Sequence, residues 1–233
     1  MIFRQLFDRE SCTFSYLMAD AQTKEGILID PVLSLAERDL QLIDQLGLQL
    51  LYVVETHVHA DHVTAAATLR KATEAKLAWS STAKVPAADH HLDHGEHLHF
   101  GGLSLETRHT PGHTEGCTSY LLLGAPESAI FTGDTLSIRG CGRTDFQGGD
   151  AATLYQSVRE QIFSLPDDTL IYPGHDYKGR TRSTVAEEKA HNPRLNQQIN
   201  ETEFVGIMNS LNLAYPKHMD VAVPANQRGG VMP

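Results

Sequence analysis

The stretch Glu55-Thr56-His57-Val58-His59-Ala60-Asp61-His62 places three histidines and one aspartate within six residues. It follows the apolar run Leu50-Leu51-Tyr52-Val53-Val54. A short apolar run of this kind reads as a buried strand. A strand that empties into such a loop delivers several imidazoles and a carboxylate to one edge of a sheet. His57 and His59 project the same way in an extended loop, because side chains two apart share a face. Asp61 and His62 stand where the Ala-rich segment 63–75 begins as a helix. His nitrogen and carboxylate oxygen are ligands for borderline metals. Asp61 as a helix N-cap beside solvated histidines is the competing account.

Three later segments decide between the two. Strand Leu103–His109 runs into Thr110-Pro111-Gly112-His113-Thr114, where Pro and Gly break the strand and leave His113 at its end. Strand Ala129–Phe131 runs into Thr132-Gly133-Asp134, and strand Thr169–Tyr172 ends in Pro173-Gly174-His175. Four strand ends therefore present His57/His59/Asp61/His62, His113, Asp134 and His175. Counted as ligands, they allow a dinuclear centre, with His57, His59 and His113 on one side and Asp61, His62 and His175 on the other.

The surrounding chain reads as a strand meander over residues 2–30, then alternating helix and strand. Ser34 and Glu37 suggest a capping box for a helix with Ala36, Leu40, Ile43 and Leu46 on one face. Helices are expected at 63–75, around Leu154–Leu165, at 181–190 and at 201–211, and the tail 223–233 is expected to be irregular. His90, His91, His94, His97 and His99 read as a surface loop leading into a strand. No repeat or linker divides the chain, so residues 1–233 are expected to form one domain.

Composition narrows the function. A formal net charge of -10 argues against nucleic acid as a partner. No apolar run approaches the length a membrane helix needs, and the start of the chain lacks an export-signal pattern. Three cysteines in no paired spacing fit a reducing, cytoplasmic setting.

HxHxDH, then His, Asp and His in that order, resembles the metallo-β-lactamase superfamily, which implies a four-layer αββα sandwich with metal at one edge of two packed sheets. A narrower resemblance is carried by Thr110–Cys117, Ile138–Phe146, His175-Asp-Tyr177, Ser183–Glu188, Asn192–Leu195 and Val223–Asn226. These segments are similar to the persulfide dioxygenase family. That resemblance implies one Fe(II) per chain, held by His57, His113 and Asp134, and oxidation of glutathione persulfide with O2 to sulfite and glutathione. His59, Asp61, His62 and His175 would then orient ligands and bound water. A 2-His-1-carboxylate set leaves open positions on Fe(II).

Glutathione carries two carboxylates, and Arg143, Tyr177, Lys178 and Arg182 are the expected substrate contacts, with Arg143 suited to a bidentate pair. The oligomeric state stays open, with a homodimer as one expectation. The alternative is a glyoxalase II-like thioester hydrolase with two metals; a non-catalytic glutathione- or metal-binding module is a third reading.

Overall fold

The computed structural model of the chain describes residues 1–232. Its strands are β1 (Ile2–Phe7), β2 (Phe14–Ala19), β3 (Glu25–Ile29), β4 (Gln49–Val54), β5 (Lys76–Ser80), β6 (His90–Leu92), β7 (His97–Phe100), β8 (Leu103–His109), β9 (Thr118–Leu123), β10 (Ala129–Gly133), β11 (Leu170–Pro173) and β12 (Ser183–Thr184). Its helices are α1 (Ala36–Gln45), α2 (Ala66–Thr73), α3 (Ala151–Ser157), α4 (Val185–His191), α5 (Glu201–Asn209) and α6 (Met219–Asn226). β1 to β6 lie in chain order in one sheet, and the other runs β12-β11-β10-β9-β8-β7. The first three strands pair antiparallel, and β3, β4 and β5 are parallel, with α1 and α2 as the crossovers. Parallel neighbours require such crossovers.

The period-2 alternation of strand side chains builds the layers. On β2, Phe14, Tyr16 and Met18 enter the core between the sheets, together with Phe100, Leu105, Tyr120 and Phe131 from the second sheet. Leu17, from the same strand, faces the opposite way and packs with Ile43 of α1 and Leu69 of α2. Ile130 and Ile171 face outward from the second sheet onto Leu154, Val185 and Phe204 of α3, α4 and α5. Helix, sheet, sheet and helix follow one another as expected. Among the described residues no helix is long and apolar enough to cross a membrane.

Several local expectations change. Ser34 and Glu37 form no capping box. A 3₁₀ turn over Leu33–Leu35 comes first, and α1 begins without a side-chain cap. Asp61 is no N-cap either, because α2 starts only at Ala66. Residues 63–65 are held out of the helix by Val63 O accepting from Leu33, by Ala65 N–H donating to Pro31 O, and by the Asn226 side chain on Thr64. His90–Leu92 is a short edge strand parallel to β5 rather than a loop. Residues 223–226, expected to be irregular, complete α6, which accommodates Pro224.

Candidate metal centre

The three expected ligands and His175 each leave the C-terminal end of a strand: His57 after β4, His113 after β8, Asp134 after β10 and His175 after β11. β10 and β11 are parallel neighbours, so Asp134 and His175 leave the sheet side by side. Tyr16 Oη donates to Pro173 O at 2.6 Å, and Phe14 N–H donates to Gly174 O at 2.8 Å, which ties the end of β11 to the other sheet. Two glycines let the loops close up. Gly133 has φ +49°, and a Cβ there would stand 2.6 Å from Thr56 Oγ1. A Cβ on Gly142 would stand 2.7 Å from the His113 ring.

His57, His113 and Asp134 each offer one ligand atom, all within 4.8 Å of one another. His113 Nδ1–H donates to Arg143 O at 2.7 Å, which leaves Nε2 for the cluster. Thr56 Oγ1 donates to Asp30 Oδ2 at 2.8 Å and accepts from His57 Nδ1 at 3.0 Å, so His57 too presents Nε2. Outer partners that fix the tautomer in this way are the usual companions of metal-ligating histidines. Burial, reinforced by His59 and His113, holds His57 well below the ordinary imidazole range and therefore neutral. Burial would raise Asp134, but His175, His113 and His57 outweigh it and hold the carboxyl well below the usual range. Two imidazole nitrogens and one carboxylate oxygen thus converge in the forms a metal requires, and the donor set fits Fe(II).

His175 stands behind this cluster. Its Nδ1 lies 2.6 Å from Asp134 Oδ1 and its Nε2 lies 2.9 Å from Asp61 Oδ2. Burial alone would lower His175, yet Asp134 and Asp61 hold it well above the ordinary range, so both nitrogens donate. His59, Asp61 and His62 form a second group with ligand atoms within 4.8 Å. The His59 Nδ1 and His62 Nε2 atoms are buried without hydrogen-bond partners. His59 Nε2 lies 3.2 Å from Asp30 and 3.3 Å from Glu55. Burial is outweighed by these two carboxylates, and His59 is pushed up to about 10, which favours the charged, non-ligating form. Sequence reasoning missed Asp30, which ends an apolar run just as His57 does. It also missed Thr13, whose hydroxyl lies within 3.3 Å of Asp61, His62 and His175.

A cavity of about 1110 Å³ opens over the cluster and includes His57, His113, Asp134 and His175 in its lining. Of the four expected substrate contacts, Arg143 and Tyr177 line it and Lys178 and Arg182 do not. The physical reason is Asp176. Its Oδ2 accepts from Lys178 N–H and Arg180 N–H, both at 2.8 Å, and folds the segment after His175 back along the surface. Arg143 is already bidentate to Asp145 at 2.6 and 2.7 Å, so a substrate carboxylate would have to displace that pair. Arg194 and Lys217 line the cavity as cations that the sequence did not single out.

The metallo-β-lactamase superfamily model matches residues 12–175. The mitochondrial persulfide dioxygenase ETHE1 of Homo sapiens is 53% identical, over 99% of this chain and 89% of that protein. The crystal structure of ETHE1 from Myxococcus xanthus superposes with a TM-score of 0.95 at 50% identity, covering 99% of this chain and 100% of the other. The chain belongs to the persulfide dioxygenases of the metallo-β-lactamase superfamily. A hydroxyacylglutathione hydrolase of a Polaromonas species is more distant, 38% identical over 75% of this chain and 66% of its own length. Persulfide dioxygenase similarity therefore spans the C-terminal segment as well, including α5, α6 and the cavity wall between them.

Proposed function

We propose that the chain is a glutathione-dependent persulfide dioxygenase: glutathione persulfide, O2 and water yield glutathione and sulfite at a site holding one Fe(II). The convergence of His57, His113 and Asp134 at the cavity, in a chain 53% identical to a named persulfide dioxygenase, carries this reading. Ferrous iron there would supply open coordination positions and redox chemistry that zinc lacks.

The chain's own residues do the rest. Asp134 supplies the anionic ligand, and His175 fixes its second oxygen by a charged hydrogen bond. Arg194 and Lys217 on the cavity wall are suited to the two carboxylates of glutathione, and Asp8 and Glu10 to its ammonium group. Leu213 and Val221 give the wall apolar surface that excludes water around the sulfur.

One observation favours a second reading, a thioester hydrolase with two metals: His59, Asp61 and His62 form another three-residue group beside the first. Oxygen uptake with glutathione persulfide, measured on protein whose metal has been quantified, separates the two. Uptake at about one iron per chain is expected. Two zinc ions per chain, thioester hydrolysis and no O2 consumption would overturn the proposal.

A further inference from the structure

Residues 211–218 connect α5 to α6 in irregular conformation, and Leu213, Ala214, Pro216, Lys217 and His218 from this segment wall the cavity. Its internal bonds are local: Met219 N–H to Pro216 O, Ala222 N–H to His218 O and Tyr215 Oη to Asp220 Oδ1. Among the described residues, one hydrogen bond ties residues 212–218 to the body of the protein, from Arg143 Nη1 to Ala214 O at 2.8 Å. The rest of the Arg143 guanidinium is immobilised by Asp145 and lies 4.6 Å over the Phe146 ring. Phe146 in turn meets Tyr215 edge-on at 5.4 Å between ring centroids. The wall is therefore fastened at two adjacent points, both on the 143–146 segment.

The carbonyl of that same Arg143 orients the ligand His113. We propose that Arg143 is a positioning residue that locks the cavity wall to the metal ligand: its main chain aims His113 while its side chain holds residues 213–216. The wall so held sets which persulfide carriers the cavity accepts. In this arrangement Arg143 does not grip a glutathione carboxylate itself. Its donors already serve Asp145 and Ala214, and a fork already bidentate to one carboxylate is a poor receptor for another. A fixed wall also lowers the ordering cost of binding, so loosening it raises KM before it touches the reacting atoms. The inference rests on the persulfide dioxygenase reading for its kinetic arm but not for its structural arm.

The test compares Arg143→Gln with Tyr215→Ala, which removes the second fastening and leaves Arg143 intact. The structural arm is limited trypsin digestion of the metal-loaded protein, read at the Lys217–His218 bond. Both variants are expected to speed cleavage there by roughly tenfold at an unchanged melting temperature. The kinetic arm is steady-state O2 uptake. Both variants are expected to raise KM for glutathione persulfide by roughly tenfold, to keep kcat and iron content within about twofold, and to favour a bulkier persulfide such as that of coenzyme A relative to wild type. Several results would overturn the proposal: unchanged cleavage in both variants, a raised KM in Arg143→Gln alone, or iron lost in step with activity. Absence of O2 uptake by the wild type would sink the dioxygenase reading and leave the digestion result standing.

Discussion

Asn226 Nδ2 donates to the carbonyl oxygen of His62 at 2.9 Å across 164 residues of chain. The same nitrogen donates to His59 O, and Oδ1 accepts from Thr64 N–H, both at 2.9 Å. One buried side chain therefore stitches the histidine loop from the opposite end of the sequence. Asn226→Asp would set a carboxylate oxygen against two carbonyl oxygens. It should cost about 3 kcal/mol, the scale of leaving buried polar groups unpaired, and lower the metal bound per chain. Denaturant unfolding with metal quantification checks this, and wild-type values for both would show that the stitch is dispensable.

Asp134→Ala removes the proposed anionic ligand and leaves His175 Nδ1 without its partner. Metal content is expected to fall below about a tenth of wild type, since ligand loss is felt directly in affinity, while circular dichroism stays native. Full metal occupancy in the folded variant would take Asp134 out of the ligand set.

Substrate charge should be felt at Arg194 and Lys217, not at Lys178 and Arg182. Alanine at either of the first two is expected to raise KM for glutathione persulfide by roughly tenfold, about 1.4 kcal/mol. Alanine at Lys178 or Arg182 should leave it within about twofold. Equal effects in all four would mean that the charge of the whole surface, rather than the cavity wall, attracts the substrate.

The three thiols should separate by burial. Burial pushes Cys117 up to about 12, and burial, partly offset by Arg194, pushes Cys141 up to about 11. The thiolate is the nucleophile, so at about pH 8 both groups lie well below their pKa and stay as inert thiols. Cys12 is half-buried and remains accessible. Iodoacetamide on the native protein should therefore give one adduct, mapped by mass spectrometry to Cys12. Rapid modification of Cys141 would contradict its packing.

The sheets and the ligand-bearing loops were legible because both are local signals: an apolar run, then a breaker, then a His or Asp. His113, Asp134 and His175 follow that rule, and His57 follows its apolar run through Glu55 and Thr56 without a breaker. What holds them does not. Thr13 and Asn226 reach the site through tertiary contacts that no spacing encodes, and Asp30, although it ends an apolar run, meets Thr56 only through the pairing of β3 with β4. The cations of the cavity wall were not legible for the same reason. Lys178 and Arg182 follow His175 in sequence, but the Asp176 turn carries them away, whereas Arg194 and Lys217 arrive from the helical C-terminal third. The capping box at Ser34 failed because the preceding backbone was already committed to pairing with Val63, while Asn200 and Glu203 do form one at α5.

The first sheet is built wholly from residues 2–92 and the second from residues 97–184. His57 belongs to the former, and His113 and Asp134 to the latter. During synthesis the earlier portion emerges and collapses first, holding only a fragment of the ligand set. Only docking of the two halves brings His57 up to His113 and Asp134, so a cation held by those three would be a late seal across their seam rather than a template for either.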